Sequence, residues 1–368
     1  MIDAPALPPP AIVAPAPREV SFGLVAGRAP RGTKRIVVHV GNDVVAEKPL
    51  RGRSFSLRLP THVGSVRVRV TAVAAGNRRS TRVVEQVFAL PLHAEPRERP
   101  PSLDPVLARE LHSLVRRHGG TTGVYIQDLR TGRGVAWNAR ARFPAGSTLK
   151  LAIAVTVMRS LHGKPDERTR LASLLRKMLV LSDNGAANEL EVWLAGSTSA
   201  GSERVNETMR ALGLHDSLMY GGYEIRRPAA AVPTAGAPIP IRVESQPSFG
   251  VGKYTTAWDL SALTRTVYLA AAGKGPLLSL GVTGSEARYL LWLLTQVGDR
   301  GKLGRLIGAE PVVMHKAGWL LGARHDTGVV AFRGGSYVAS VMTWRTAEAD
   351  EFAGRVARAA LQRFRSSG

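Results

Sequence analysis

The sequence contains no cysteine, which excludes disulfide bonds, zinc–thiolate sites and a thiol nucleophile. Aromatic residues make up only 6% of the chain, and acidic residues number 28 against 50 basic ones. Long apolar runs are also missing. Outside the first 18 residues, the longest run, residues 151–158, is interrupted by Thr156 and is too short to span a bilayer. We therefore expect no transmembrane segment.

The excess of basic residues gives a formal net charge of +22 at pH 7. Such a surface attracts polyanions, which include nucleic acid, anionic lipid and anionic cell-wall polymer. Heavy use of arginine through coding composition explains the charge equally well. The basic residues are spread along the chain, and no helix-turn-helix, zinc-finger or aromatic RNA-binding signature accompanies them. We expect no specific nucleic-acid partner.

With 368 residues, 44% of them hydrophobic, the chain can form about two domains with cores of their own. Prolines dominate residues 1–18 and predict an extended leader. Residues 19–92 alternate apolar and polar positions between short turn signals, as in residues 66–70. This alternation predicts a small all-β sandwich of the immunoglobulin-like (Ig-like) type. Prolines return in residues 93–103, which we interpret as a linker.

Residues 104–368 mix helical and strand patterns. The patterns predict a helix over residues 104–117 and a hairpin over 122–137. Helical regions follow over residues 147–211 and 256–272, then strands over 327–332 and 337–343, and a final helix over 347–365. Because strands come first and last, they have to meet in one sheet. The predicted fold class of this domain is therefore α+β, an α/β sandwich with a helical insert.

The first of three short motifs is Ser147-Thr148-Leu149-Lys150, where an extended stretch ends and a helix begins. Positions i and i+3 of a helix share a face, so the Lys150 amine is expected beside the Ser147 hydroxyl. A serine hydroxyl needs a base to become a nucleophile, and a buried lysine with a lowered pKa can be that base. The apolar residues 151–157 indicate that this helix is buried.

The second motif is Ser182-Asp183-Asn184, after the helical stretch 171–181. Asp and Asn favour a turn and a new helix start, so the motif is either a plain connection between helices or a functional element. In the functional interpretation, the Ser182 hydroxyl relays a proton to a leaving nitrogen, and the Asn184 amide orients Lys150 or the substrate.

The third motif, residues 315–319, reads His-Lys-Ala-Gly-Trp and precedes the final strands. A strand lysine such as Lys316 can present its ammonium group to a substrate carboxylate, and Gly318 allows the substrate backbone to approach closely. The alternative is an ordinary lysine on an edge strand.

Together the three motifs are much more specific than any one of them. Ser-x-x-Lys, then Ser-Asp-Asn, then a lysine two residues before a glycine resembles the signature of the serine β-lactamases and penicillin-binding proteins. The chain resembles the class A β-lactamase-like serine hydrolases over about residues 101–368. Further segments fit that family's opening hairpin, the helix after its omega loop and the approach to the third motif, namely residues 128–132, 255–260 and 290–318.

The resemblance implies a chemical role for three of the side chains. Ser147 is implied to be the acylated nucleophile, and Lys150 is implied to be its general base or to tune its reactivity. Ser182 is implied to shuttle the proton. The resemblance implies neither a metal nor an organic cofactor.

The resemblance also implies a set of substrate-binding residues. Asn184 is implied to position the substrate, and Lys316 to attract its carboxylate. Gly318 lies beside Trp319, whose backbone N–H group is implied to form the oxyanion hole together with that of Ser147.

The sequence departs from the family in two places. The family's β-lactamases carry Glu-x-x-Leu-Asn on the omega loop, where the glutamate activates the deacylating water, and this string is absent here. In the corresponding residues 221–254, Glu224 and Glu244 are the only carboxylates and are the candidate bases. Ala317 replaces the usual threonine or serine, which removes a hydroxyl that would bind the substrate carboxylate. We therefore expect acylation with slow deacylation.

Three functions stay open at this point. The first is a serine acyl-hydrolase that opens small-molecule β-lactams. The second uses the same site on peptidoglycan peptides, as a D-alanyl-D-alanine carboxypeptidase. The third is a non-catalytic protein of the cell envelope, whose basic surface holds anionic wall polymer.

The family's substrates lie outside the cytoplasmic membrane, so we expect an extracytoplasmic protein. Residues 1–18 have neither the basic start nor the apolar block of a secretory signal. The expectation is thus that a leader is missing or was removed, and a cytoplasmic location is the alternative.

Overall fold

The computed structural model describes residues 6–59, 63–221 and 238–366. The chain divides into two compact units, Met1–Glu95 and Pro96–Gly368. Strands dominate the described part of the first unit, and the second unit combines strands with helices.

The strands of the first unit form two sheets. Strands β1 to β8 are Ala11–Ala14, Glu19–Ser21, Leu24–Arg28, Thr33–Val40, Asp43–Pro49, Ser54–Arg58, Gly64–Ala74 and Arg79–Ala89. One sheet has the order β1-β3-β6 and the other the order β2-β8-β7-β4-β5. Val25 and Phe55 of the smaller sheet share a buried cluster with Ile36 and Val70 of the larger one. The Ig-like character of this unit stays a prediction.

Short strands lie in the two segments that the sequence analysis separates from the domains. The predicted leader contains strand β1, which pairs with β3, and its Ile12 packs against the core of the first unit. Along Ala11–Ala14 exposed and half-buried side chains alternate, so Ile12 packs inwards while Val13 is 75% exposed. The predicted linker ends in a short strand, Ser102–Leu103, that pairs in parallel with Arg133 and Gly134 of the second unit.

The second unit is built around a six-stranded sheet. Strands β9 to β16 are Ser102–Leu103, Thr121–Asp128, Arg133–Trp137, Phe143–Pro144, Tyr254–Thr255, Val312–Leu320, Ala323–Phe332 and Gly335–Trp344. The sheet has the order β14-β15-β16-β10-β11-β9, while β12 and β13 form a separate pair. Early and late strands therefore meet in one sheet, as the order of the predicted elements requires.

Helices cover both faces of this sheet. Helices α1 to α8 are Pro105–Arg116, Lys150–Leu161, Arg170–Val180, Asn184–Ala195, Thr198–Ala211, Ala257–Ala271, Gly284–Thr295 and Ala349–Arg365. On one face, α1 and α8 pack on Ala339 and Val341 of β16. Between these two residues, Ser340 faces the other side, where it accepts a hydrogen bond from Ser261 of α6 at 2.7 Å. The predicted α+β arrangement with inserted helices is confirmed.

Helix α2 is the central helix of the insert. All its side chains from Lys150 to Met158 are buried, and it packs against α3, α4, α5 and α6. The prediction of a buried helix after the first motif is confirmed, because a helix that is apolar on every side can bury all of them. In the part of the chain that the structure describes, no helix is both long and apolar enough to cross a membrane.

Candidate active site

Ser147 lies in a turn between β12 and α2. Gly146 has a φ of 54°, in the left-handed region that favours glycine. Thr148 Oγ1 donates a hydrogen bond to the Ala145 carbonyl at 2.7 Å and helps to close the turn. Helix α2 begins three residues after Ser147, so the half-buried serine stands just before the N-terminus of a fixed helix.

The amine of Lys150 contacts the second motif. Its Nζ donates a hydrogen bond to Asn184 Oδ1 at 2.6 Å and another to the Ser182 carbonyl, and it lies 3.4 Å from Ser182 Oγ. Within the described residues, no hydrogen bond joins Lys150 to the Ser147 hydroxyl. The expected contact between them is therefore not a direct hydrogen bond, although both residues line the same cavity.

The second motif forms a strained turn at the start of α4. Ser182 has a φ of 59°, a left-handed conformation that costs a non-glycine residue about 1–2 kcal/mol. Asp183 caps α4, since its Oδ1 accepts a hydrogen bond from the Ala186 N–H at 2.6 Å. This geometry directs the carbonyl and the hydroxyl of Ser182 towards Lys150. Residual strain of this kind is typical of functional positions.

Lys316 reaches the same serine from the main sheet. It lies on β14, at the edge of that sheet, but only 3% of its surface is exposed. Its Nζ donates a hydrogen bond to Ser182 Oγ at 2.9 Å and another to the Ala317 carbonyl at 2.9 Å. Lys316 is thus a lysine on an edge strand, as the alternative interpretation has it, but its side chain is buried and hydrogen-bonded to the second motif. Ser182 Oγ lies between two lysine amines that come from distant parts of the sequence.

Burial lowers the pKa of both amines. The pKa of Lys150 falls to about 8 because burial disfavours its charge; Asp183 opposes this effect, and the positive charge of Lys253 adds to it. The pKa of Lys316 falls to about 7 because of its burial and the neighbouring charge of Lys150. A neutral amine is therefore accessible near neutral pH, and a neutral amine can accept a proton from a serine.

Two glycines bring the third motif against the turn of Ser147. A methyl group on Gly318 would lie 2.9 Å from the Ala145 carbonyl oxygen and 3.2 Å from the Ser147 amide nitrogen. A methyl group on Gly146 would lie 3.1 Å from the Trp319 amide nitrogen. The backbone N–H groups of Ser147 and Trp319 are therefore neighbours, which is the arrangement that an oxyanion hole needs.

A cavity of about 540 Å³ opens beside Ser147. Its charged and amide-bearing lining residues are Lys150, Asn184, Asn188, Glu191 and Lys253. Larger apolar and aromatic residues supply much of the remaining wall, namely Ile153, Met219, Tyr220, Phe249, Val251, Trp319 and Leu320. Ser182 and Lys316 do not line the cavity. Ser182 contacts the lining residue Lys150, and Lys316 in turn contacts Ser182. A concave, mixed polar and apolar wall of this kind suits a small molecule.

Of the two candidate deacylation bases, the structure describes Glu244 and not Glu224. Glu244 is exposed and does not line the cavity; its backbone N–H donates a hydrogen bond to Asn138 Oδ1 at 2.6 Å. The structure therefore gives no support for Glu244 as the base. Glu224 lies outside the described residues.

Sequence reasoning missed Asn188, Glu191 and Lys253, which all line the cavity. A signal was present for two of them, because Asn188 and Glu191 follow Asn184 at i+4 and i+7, the spacing of one helical face. Lys253 carries no such signal. Among the described residues, no group of three or more His, Asp or Glu side chains is arranged to hold a metal ion.

Comparison with known proteins agrees with this geometry. The sequence matches the model of the β-lactamase enzyme family over residues 106–168 and 160–364. The chain belongs to the β-lactamase enzyme family. Membership indicates a serine hydrolase type of enzyme. No curated protein sequence matches the chain.

Solved structures of similar fold include PBP-A, with 20% identity, a TM-score of 0.56, and coverage of 73% of this chain and 99% of that one. An ancestral class A β-lactamase has 22% identity, a TM-score of 0.54, and coverage of 70% and 99%. A β-lactamase from Sphaerobacter thermophilus has 20% identity, a TM-score of 0.51, and coverage of 71% and 96%. At these identities the likeness establishes the fold of the second unit.

Proposed function

We propose that this protein is a serine acyl-hydrolase that opens β-lactam amides through an acyl-enzyme on Ser147, in β-lactam catabolism or an antibiotic response. The observation that carries the proposal is the convergence of Lys150 and Lys316 on Ser182, beside the cavity that Ser147 lines. Family membership supports the same class of reaction.

Acylation begins with proton transfer from the nucleophile. The neutral amine of Lys150 accepts the proton of Ser147 Oγ, while Oγ forms a bond to the carbonyl carbon of the lactam. The bond between that carbon and the lactam nitrogen then breaks. Because Lys150 Nζ lies 3.4 Å from Ser182 Oγ, the proton reaches the leaving nitrogen through the Ser182 hydroxyl. The products of this step are an ester on Ser147 and a protonated nitrogen.

Substrate binding in this proposal uses both backbone and side-chain groups. The N–H groups of Ser147 and Trp319 stabilise the oxyanion, and Asn184 orients the substrate amide. Lys316 supplies positive charge towards the substrate carboxylate. Ala317 offers no hydroxyl to that carboxylate, which weakens binding by about 1 kcal/mol relative to a threonine.

Intact-mass spectrometry of the full chain after incubation with a penicillin tests the proposal. We expect a mass increase of one penicillin molecule in the unmodified protein and none in Ser147→Ala. A β-lactamase of known activity, treated in parallel, shows that the drug is competent. Absence of any adduct with several β-lactams under those conditions would remove the acylation claim.

A D-alanyl-D-alanine carboxypeptidase is the second candidate. It is favoured by the missing Glu-x-x-Leu-Asn string, since a peptidoglycan enzyme does not depend on rapid deacylation of β-lactams. One of the structural neighbours is an acyl-enzyme complex of a PBP-A mutant with penicillin G, so a protein of this fold forms such an ester. Hydrolysis of a chromogenic cephalosporin and of a D-Ala-D-Ala peptide, measured side by side, separates the two candidates.

We also propose that the protein works outside the cytoplasmic membrane, where the substrates of both reactions occur. The net charge of +22 supports an additional attraction to anionic wall polymer. Binding of the full chain to cell-wall preparations at increasing salt tests that attraction, because an electrostatic contact weakens as salt rises. Wall binding by a protein that no β-lactam acylates would instead favour a non-catalytic envelope protein.

A further inference from the structure

Helix α4 presents a polar face to the cavity. Four of its residues, spaced at i, i+3, i+4 and i+7, line the cavity together with Ser147: Asn184, Ala187, Asn188 and Glu191. The rise of an α-helix puts Glu191 about 10 Å along the axis from Asn184. Among the described residues that line this cavity, Glu191 is the only carboxylate.

The carboxylate of Glu191 is held firmly in place. Only 1% of the residue is exposed, and Oε1 accepts a hydrogen bond from Ser202 Oγ of α5 at 2.7 Å. Gly201 lies directly against the backbone of Glu191, so the two helices are in close contact at this point. In the part of the chain that the structure describes, Oε2 has no hydrogen-bond partner and Glu191 forms no ion pair. One oxygen of a fixed carboxylate is therefore free to bind water.

A merely structural role does not account for a carboxylate here. Burial of a charged group with one hydroxyl as its partner is unfavourable, and an apolar residue would join α4 to α5 at lower cost. A glutamate that only joins the two helices through Ser202 would not need to line the cavity, as Glu191 does.

Lys253 connects Glu191 with the reacting groups. It lines the same cavity, and its positive charge lowers the pKa of both Lys150 and Glu191, so the three side chains share one local field. Burial has the larger effect on Glu191 and raises its pKa. A carboxylate with a raised pKa is a stronger base towards water than an exposed one.

We propose that Glu191 activates the water that hydrolyses the acyl-enzyme, in this sequence without the family's Glu-x-x-Leu-Asn string. The proposal rests on the proposed function, since it concerns the second half of that reaction. It assigns to α4 a task that the family's β-lactamases give to a loop.

The step is a hydrolysis of the Ser147 ester. The Glu191 carboxylate accepts a proton from water while the water oxygen forms a bond to the acyl carbon. The bond between that carbon and Ser147 Oγ breaks, and the proton returns to Oγ. The products are a free carboxylic acid, an unmodified Ser147 and an ionised Glu191.

The experiment compares two glutamines on the same helix. Intact-mass time courses with a penicillin give the rate of acyl-enzyme formation and, after removal of excess drug, the rate of its loss. For Glu191→Gln we expect a similar rate of formation and a loss slowed about 100-fold or more. Glu189→Gln is the matched control, because Glu189 is exposed on α4 and does not line the cavity. For the control we expect both rates to be unchanged.

The possible results separate the role of Glu191 from the acylation of Ser147. Equal rates of loss in Glu191→Gln and the unmodified protein would overturn the role of Glu191 and leave the acylation proposal intact. A permanent acyl-enzyme in the unmodified protein would overturn it too, whereas failure of acylation would remove the proposed function and this step with it.

Two further variants cover the case in which Glu191→Gln folds poorly by circular dichroism. Glu191→Asp keeps the carboxylate and Glu191→Ala removes it. We expect Glu191→Asp to lose its acyl group faster than Glu191→Ala, with similar rates of formation. Equal rates of loss in these two variants would contradict the proposal.

Discussion

Helices α2 and α4 both bring polar side chains to the cavity, yet they are held in different ways. In α2, residues 150–158 are all buried, so packing on every side fixes the helix. In α4, one face lines the cavity, while Val192 and Trp193 are 45% and 46% exposed. The contacts of α4 with α2, α3 and α5 position this helix together with the way in which it begins.

The beginning of α4 is the turn of the second motif. Ser182 in its left-handed conformation and the capping carboxylate of Asp183 set the direction of the helix. Packing places Lys150, the proposed base, whereas a strained turn places Ser182, the proposed proton relay. Changes to the two helices should consequently have different effects.

The largest effect is expected when α2 loses its amine. Lys150→Ala removes the proposed base of Ser147, so the rate of acylation by a penicillin should fall about 10²–10⁴-fold. Stopped-flow or quenched mass measurements give this rate. Lys177→Ala, an exposed lysine of α3, is the control and should leave the rate unchanged. A rate in Lys150→Ala within threefold of the unmodified protein, an order-of-magnitude threshold, would mean that another group is the base.

Packing supplies the second prediction. Met158→Ala in α2 removes a fully buried side chain, so the free energy of unfolding should fall by about 2–5 kcal/mol. Trp193→Ala in α4 removes a half-exposed one and should cost less than about 1 kcal/mol. Urea unfolding followed by circular dichroism measures both. Similar losses would show that α4 is held by packing as firmly as α2.

The pH dependence of acylation sharpens the assignment of the base. The pKa of Lys150 is lowered to about 8, and only its neutral form accepts a proton. The acylation rate should therefore rise about tenfold per pH unit below that value and level off above it. Saturating penicillin keeps the titration of Lys316 in substrate binding out of the measurement. A rate that is flat between pH 6 and 9, taken as a rough window around that pKa, would argue against a lysine base.

The smallest effect is expected on β14. Ala317→Thr restores the hydroxyl that the family usually places next to Lys316, so the second-order rate of acylation should rise about two- to tenfold. Ala317→Val has the same shape without the hydroxyl and should give no gain. If both variants gain equally, the change reflects packing, and the hydroxyl has no part in it.

Part of this architecture could be predicted from sequence, and particular residues show why. Local patterns specify elements that depend on neighbours in the chain, such as the buried helix after Ser147 and helix α1, predicted over residues 104–117 and observed at Pro105–Arg116. The order of the predicted elements, with strands first and last in residues 104–368, indicated that early and late strands share one sheet. No local pattern shows that Ala11–Ala14 pairs with β3, because prolines flank this short run on both sides.

The candidate site was predictable as a set of residues and less so as a geometry. No local pattern shows that Lys316 donates its hydrogen bond to Ser182, 134 positions away in the chain, or that Lys150 bonds Asn184 rather than Ser147. These contacts depend on how separate elements pack. Glu191 was overlooked because a glutamate at a helix position is usually exposed, and its burial follows from the close approach of α5.

The central claim is that Ser147 becomes acylated because a buried lysine activates it. Tryptic digestion of the penicillin-treated protein tests this most directly, because cleavage after Arg142 and Lys150 releases residues 143–150 as one peptide. We predict that this peptide carries the penicilloyl group and that fragmentation locates it on Ser147. An adduct on Thr148 or on any other residue, or a peptide without an adduct, would contradict the account.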